Sequence, residues 1–287
     1  MRLILHIGQH KTGSKALQWF LSSNHDRLVS HQYLYSIEQS DTSCHAYQHS
    51  HYHFYRELRS LALSASNSFN FSNLDSDINL RTLADILRND MNNAKERGCH
   101  TLVLSAEDIF TMHTAHELGT DDIILECAIH ILKQVIANLN IDLKVLIYLR
   151  DTMPFLVASY AQYIKGASRG TLGIKEFFFE FRDRLYPQRF LERWQTLLDP
   201  ENLQIRRFNE NRNEFDIRKD FIENVLNVSL DGFSFDLPHS LSDRREICNK
   251  TPNLMALSIL RFLNKYPIFQ KYLSRELVLD FSTFLFK

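Results

Sequence analysis

Three short stretches carry residues able to do chemistry, and each follows an apolar run. The first is Gly8-Gln9-His10-Lys11-Thr12-Gly13-Ser14-Lys15, after Leu3-Ile4-Leu5. Its glycines let backbone N–H groups close on an oxyanion, and the helix expected from Ser14 onward adds the partial positive charge of its N-terminus. Lys11 and the hydroxyls of Thr12 and Ser14 supply further donors, a set suited to phosphate or sulfate. The second stretch is Ser105-Ala106-Glu107-Asp108, after Thr101-Leu102-Val103-Leu104. Glu107 there could act as a base, or Ser105 could cap a helix whose first turn takes Glu107 and Asp108. The third is Arg150-Asp151, after Lys144–Leu149, with Ser159 on the helix behind it. A guanidinium offers a fixed fork that matches phosphate, and a salt bridge to Asp151 is the competing use.

These stretches need a scaffold that brings strand ends together. Apolar runs of strand length alternate with helical patterns over 80–97, 121–138, 154–165, 175–182, 187–198, 216–226 and 252–264, and Leu203–Arg206 reads as a last strand. That alternation predicts an α/β fold, three-layered and P-loop-like, with a central, mostly parallel sheet flanked by helices. Ligands in such sheets bind beyond the carboxyl ends of the strands, where all three stretches lie. No repeat or long linker interrupts the 287 residues, so a single domain over 1–287 is expected.

Residues 40–80 are polar, without firm periodicity, and read as loops with short helices. His45, His49, His51 and His53 invite a metal site, but 49, 51 and 53 alternate as on a strand and no second carboxylate cluster joins them. No metal is expected.

A net charge of −1 argues against a general nucleic-acid binder. Cys44, Cys99, Cys127 and Cys248 form no CxxC pair and suit reduced thiols. The start shows no signal-peptide pattern and no segment reaches the ~20 apolar residues of a membrane span, so a cytoplasmic chain without stable membrane insertion is expected. The apolar run Leu277–Phe286 is expected to dock on the core.

The order Lys11-Thr12-Gly13-Ser14 after a first strand resembles the phosphate loop of sulfotransferases that use 3′-phosphoadenosine 5′-phosphosulfate (PAPS), and specifically bacterial, carbohydrate-type members. It is not the Walker pattern, which places lysine directly after the second glycine. The resemblance implies that Gly8, His10, Lys11, Thr12, Gly13, Ser14 and Lys15 hold the 5′-phosphate, and that Arg150 with Ser159 holds the 3′-phosphate. Lys15 departs from the family's usual Thr or Ser. The step from Arg150 to Ser159 is nine residues where the family has eight, and a strict count falls on Ala158. Arg193-Trp194, Glu201-Asn202-Leu203, Ile205–Phe208 and Cys248-Asn249-Lys250-Thr251 resemble further family elements.

Sulfuryl transfer to a hydroxyl needs a base for the acceptor proton. The resemblance implies Glu107, with histidine used in other branches and His51 or His49 as the rival. The implied activity is transfer from PAPS, with 3′-phosphoadenosine 5′-phosphate (PAP) as product, to a carbohydrate or cell-surface glycan. A P-loop nucleotide kinase-like enzyme and a non-catalytic nucleotide- or glycan-binding module are the alternatives.

Overall fold

The computed structural model describes residues 1–9, 11–36, 50–67, 80–112, 122–165, 170–208, 215–236 and 254–266. The chain divides into two compact units, the first comprising Met1–Thr114, Thr120–Arg150 and Pro187–Cys248, the second Ala115–Gly119, Asp151–Tyr186 and Asn249–Lys287.

The first unit is built on one sheet of β1 (Arg2–His6), β2 (Tyr33–Tyr35), β3 (Thr101–Ser105), β4 (Asp142–Arg150) and β5 (Leu203–Phe208). The order is β2-β3-β1-β4-β5, and every neighbouring pair is parallel. Helices flank the sheet as expected for an α/β fold. They are α1 (Ser14–Ser23), α2 (His25–Ser30), α3 (Tyr52–Asn67), α4 (Arg81–Glu96) and α5 (Asp122–Asn138), with a 3₁₀ turn over Glu107–Phe110. In the second unit lie α6 (Thr152–Lys165), α7 (Ile174–Glu180) and α8 (Arg182–Leu185). The chain returns to the first unit with α9 (Pro187–Leu197) and α10 (Ile217–Asp220), which runs into a π turn over Phe221–Val225, and ends in the second with α11 (Leu254–Lys265).

The strands are apolar on both sides because both sides are covered. Side chains alternate across a strand, and here they sort into two cores. Leu3, Leu5, Ile7, Leu102, Leu104, Val145 and Ile147 join Phe54, Leu58, Leu87, Leu132 and Trp194. Ile4, Val103, Leu146 and Tyr148 join Leu17, Phe20 and Leu21 of α1, with Ile217 and Phe221. Each such side chain taken fully from water contributes roughly 1.5–3 kcal/mol. Trp194 is fully buried and its indole donates to the Phe110 carbonyl at 3.1 Å. Its neighbour Arg193 pairs with Glu126 at 2.9 Å.

Residues 52–67 are a sixteen-residue helix rather than a loop with short helices. Phe54, Tyr55, Leu58, Ala62 and Ala65 give it a buried stripe at helical spacing, set among polar residues. His53 lies on that helix and His51 just before it, so they do not alternate along a strand. His10, His45, His49, Cys44, Cys248–Thr251 and Leu277–Phe286 lie outside the described residues.

In the second unit Phe155, Leu156, Ala161, Ile164, Phe177 and Leu260 form a core of their own. Asn264 ties it by donating to the carbonyls of Ile164 and Gly170 at 3.0 and 2.9 Å. Ala158 is buried there, and Ser159 is half-buried. Among the described residues no helix is long and apolar enough to cross a membrane.

Candidate functional site

The loop between β1 and α1 is held open by its two neighbours in the sheet. Beyond the last β1 residue, the N–H groups of Ile7 and Gln9 continue the ladder to Leu146 and Tyr148 of β4 at 3.0 and 3.3 Å. On the other side the His6 carbonyl accepts from Ala106 N–H at 2.9 Å, at the end of β3. The connections from β1 and β3 then leave to opposite faces, since α1 packs on one core and α5 on the other. Such a switch point opens a crevice beyond the strand ends, and the loop and Glu107 both stand there.

The loop then turns sharply. Lys11 has φ of 69° and Gly13, at the N-cap of α1, has φ of 81°. A left-handed conformation suits glycine and is strained for lysine, so Lys11 is held there by its surroundings. The Thr12 hydroxyl, buried, donates to the Gln9 carbonyl at 2.6 Å and closes the turn. Its proton is therefore engaged within the loop. The first N–H groups of α1 have no intrahelical acceptor, and no acidic residue stands in its first turn.

Gly8 is required for a different reason. A Cβ there would lie 2.5 Å from His6 Nε2 and 3.4 Å from Ser14 Oγ. His6, Gln9 and Ser14 are each at most 2% exposed, and His6 Nε2, Gln9 Nε2 and Ser14 Oγ have no hydrogen-bond partner among the described residues. Buried polar atoms in such a state are uncommon. Three of them lie in and beside one loop, between the end of β1 and the start of α1.

Arg150, at the end of β4, binds the loop twice. Its backbone N–H donates to Gln9 Oε1 at 2.8 Å, and its guanidinium donates to the Lys11 carbonyl at 2.9 Å. The guanidinium also lies 5.8 Å from the centre of the Phe208 ring, which itself borders Gly13. Burial holds the Lys11 ammonium below the usual lysine range, and the charges of Lys15 and Arg150 push the same way while Glu107 and Asp108 oppose them. Lys11, Lys15, Arg150 and Glu107 thus share one electrostatic neighbourhood.

Glu107 opens the 3₁₀ turn and is half-buried. Ser105 does not cap that turn. Its hydroxyl contacts His6 Nδ1 at 2.8 Å and accepts from Gln18 Nε2 at 3.0 Å. Its N–H donates to His51 Nδ1 at 2.9 Å. Burial lowers both His6 and His51 from 6.5 to about 4, partly offset for His6 by Glu107 and for His51 by the Ser105 and Ser36 backbones. Sequence reasoning gave His6, Gln9 and Gln18 no role. Their partners are distant in the chain, and no local spacing marks them.

The structure therefore brings Gly8, Lys11, Thr12, Gly13, Ser14, Lys15, Arg150 and Glu107 to one crevice, with His51 against the end of β3. Ser159 belongs to the second unit.

By sequence, no family model and no curated protein matches the chain. Among solved structures it is similar to the crystal structure of a sulfotransferase from Alicyclobacillus acidocaldarius, at 13% identity and a TM-score of 0.47, over 92% of this chain and 94% of that one. A likeness at that level carries no argument about chemistry, which rests on the geometry above.

Proposed function

We propose that the protein is a sulfotransferase that moves a sulfuryl group from PAPS to an acceptor hydroxyl. The observation that carries this reading is the loop itself. It offers buried atoms of His6, Gln9 and Ser14 that have no partner among the described residues, the first N–H groups of α1, which have no intrahelical acceptor, and the cations Lys11 and Lys15, all at one strand end. That set fits a phosphate with two negative charges. The resemblance of Lys11–Ser14 to the PAPS loop turns a general anion site into a specific one.

In this reading PAPS supplies an activated sulfuryl group whose departure leaves charge on a phosphate oxygen. Lys11 holds the 5′-phosphate and stabilises that charge as it develops. Gly13, Ser14 and Lys15 hold the same phosphate through backbone and side-chain donors. Arg150 holds Lys11 in its left-handed turn and lies beside the nucleotide, with the 3′-phosphate as its second partner. Glu107 takes the acceptor proton. It is preferred to His51, whose Nδ1 is engaged by Ser105 and whose burial makes it a weak base near neutrality.

The acceptor class, a carbohydrate, follows from the resemblance.

Calorimetry with PAP, AMP and magnesium–ATP tests the donor. PAP should bind at least tenfold more tightly than AMP. Equal binding of the two removes PAPS, and tight magnesium-dependent ATP binding would favour a kinase-like enzyme. Sulfate transfer to a panel of glycans separates a catalyst from a binding module.

A further inference from the structure

The end of β1 and the end of β3 are joined beneath the surface by a directed chain of hydrogen bonds. His6 and Ser105 are register partners at the ends of β1 and β3, and their side chains meet Gln18 of α1. The Gln18 amide group lies 3.0 Å from Ser105 Oγ and 3.4 Å from the Ser105 carbonyl. A carbonyl only accepts, so the nitrogen of that amide faces Ser105 and donates. The Ser105 hydroxyl, accepting from Gln18, has one proton left to give, and His6 Nδ1 at 2.8 Å takes it. An imidazole that accepts at Nδ1 and is neutral carries its proton at Nε2. Burial keeps His6 neutral at physiological pH.

That Nε2–H has no acceptor among the described residues. It faces the side of Gly8 where a Cβ is missing, and Ser14 Oγ, also buried and unpartnered among the described residues, borders the same point. A donor without an acceptor and a hydroxyl without a partner, both counted among the described residues, therefore border the same Cβ-less side of Gly8.

We infer that His6 is a positioning residue whose Nε2–H donates to Ser14 Oγ when the loop holds an anion, so that the Ser14 hydroxyl proton points at the bound phosphate oxygen. The chain then runs from Gln18 through Ser105, His6 and Ser14 to the anion, each hydroxyl accepting one bond and giving one. His6 Nε2–H and Ser14 Oγ are the two atoms of the chain without a partner among the described residues, and a bound anion would satisfy both. This rests on the anion-loop reading, and on the donor reading only through the choice of PAP as probe.

The test is nitrogen-15 NMR of the histidine side chains, with binding measured alongside. In the ligand-free protein His6 should be neutral with its proton on Nε2; a proton on Nδ1 overturns the inference. Saturating PAP should shift the Nε2–H proton downfield and slow its exchange with solvent, and an unchanged resonance overturns it. Ser14→Ala and His6→Asn, which keeps an acceptor for Ser105, should each weaken PAP binding by about tenfold. The double variant should lose no more than either single one, and additive losses count against the relay. His6→Gln keeps a donor near the Nε2 position and should restore part of the affinity; no recovery counts against it. If the wild type binds pyrophosphate but not PAP, the donor reading falls and the same measurements are made with pyrophosphate. If it binds neither, both fall.

Discussion

The Arg150 guanidinium donates to the carbonyl oxygen of Lys11 at 2.9 Å, across 139 positions of sequence. The bond joins the end of β4 to the turn after β1, and it holds a lysine in a backbone conformation that lysine disfavours. Arg150→Ala should release that turn. The expected result is at least tenfold weaker PAP binding, with a stability loss of about 1–3 kcal/mol for a charge-assisted bond. Titration calorimetry with chemical denaturation checks both, and unchanged affinity would show that the bond does not shape the site.

Lys11→Ala should leave the fold intact, because the loop is held by backbone ladder bonds and by Thr12 rather than by the lysine side chain. Turnover should fall by roughly 10²–10³-fold, the scale for removing one group that stabilises developing charge. Near-normal sulfate transfer by a folded variant would remove Lys11 from the mechanism.

Burial and neighbouring cations hold the Lys11 ammonium below its ordinary range. A dianion placed against it should raise that pKa again. PAP binding should therefore take up protons at alkaline pH, seen as a binding enthalpy that varies with the ionisation enthalpy of the buffer. The same enthalpy in every buffer would separate the anion from Lys11.

Glu107→Gln should keep PAP affinity within a few fold while lowering turnover by about 10²–10⁴, the usual contribution of a general base. His51→Asn should act chiefly on stability. The reverse pattern, with His51 dominating turnover, would transfer the base to the histidine.

His6 and His51 give the protein a specific acid sensitivity. Their folded pKa values, about 4, lie below the ordinary 6.5. The unfolded chain therefore binds more protons between these limits, and stability falls as pH drops from about 6.5 to 4. The loss is on the order of 3 kcal/mol per histidine once both are fully protonated. Denaturant midpoints at pH 7, 5.5 and 4.5 read this window. Asp216, whose pKa is lowered by its bonds to Arg218 against the opposing effect of burial, adds its own loss only below the carboxylate range. A flat profile from pH 7 to 4.5 would contradict the buried neutral histidines.

The sheet was legible because parallel strands covered on both faces are unbroken apolar runs, as at Leu102–Leu104 and Val145–Leu149. The strand, loop and helix around Lys11 were legible because an apolar run, two glycines and a helical pattern follow one another directly in sequence. Helix α3 was not, since its stripe from Phe54 to Ala65 is diluted by arginine, serine and histidine. The readings of Ser105 as a cap and of Thr12 as a free donor went astray for a related reason. Hydroxyl partners are chosen in three dimensions, and here they are His6, Gln18 and the Gln9 carbonyl. His6 itself sits inside the most informative stretch of the chain, yet nothing local distinguishes it from a core residue at a strand end.

Strand β1 hydrogen-bonds β3 and β4 and not β2, the strand that follows it in sequence, with His6 reaching 99 positions to Ser105. Closing such long segments is entropically slow, so parallel sheets of this kind complete their pairing late in folding. During synthesis the loop after β1 emerges well before β3 and β4, yet its shape depends on both of them. On the proposed reading, a chain truncated before β4 should carry the whole loop sequence and show no PAP affinity, so that PAP binding would report finished folding.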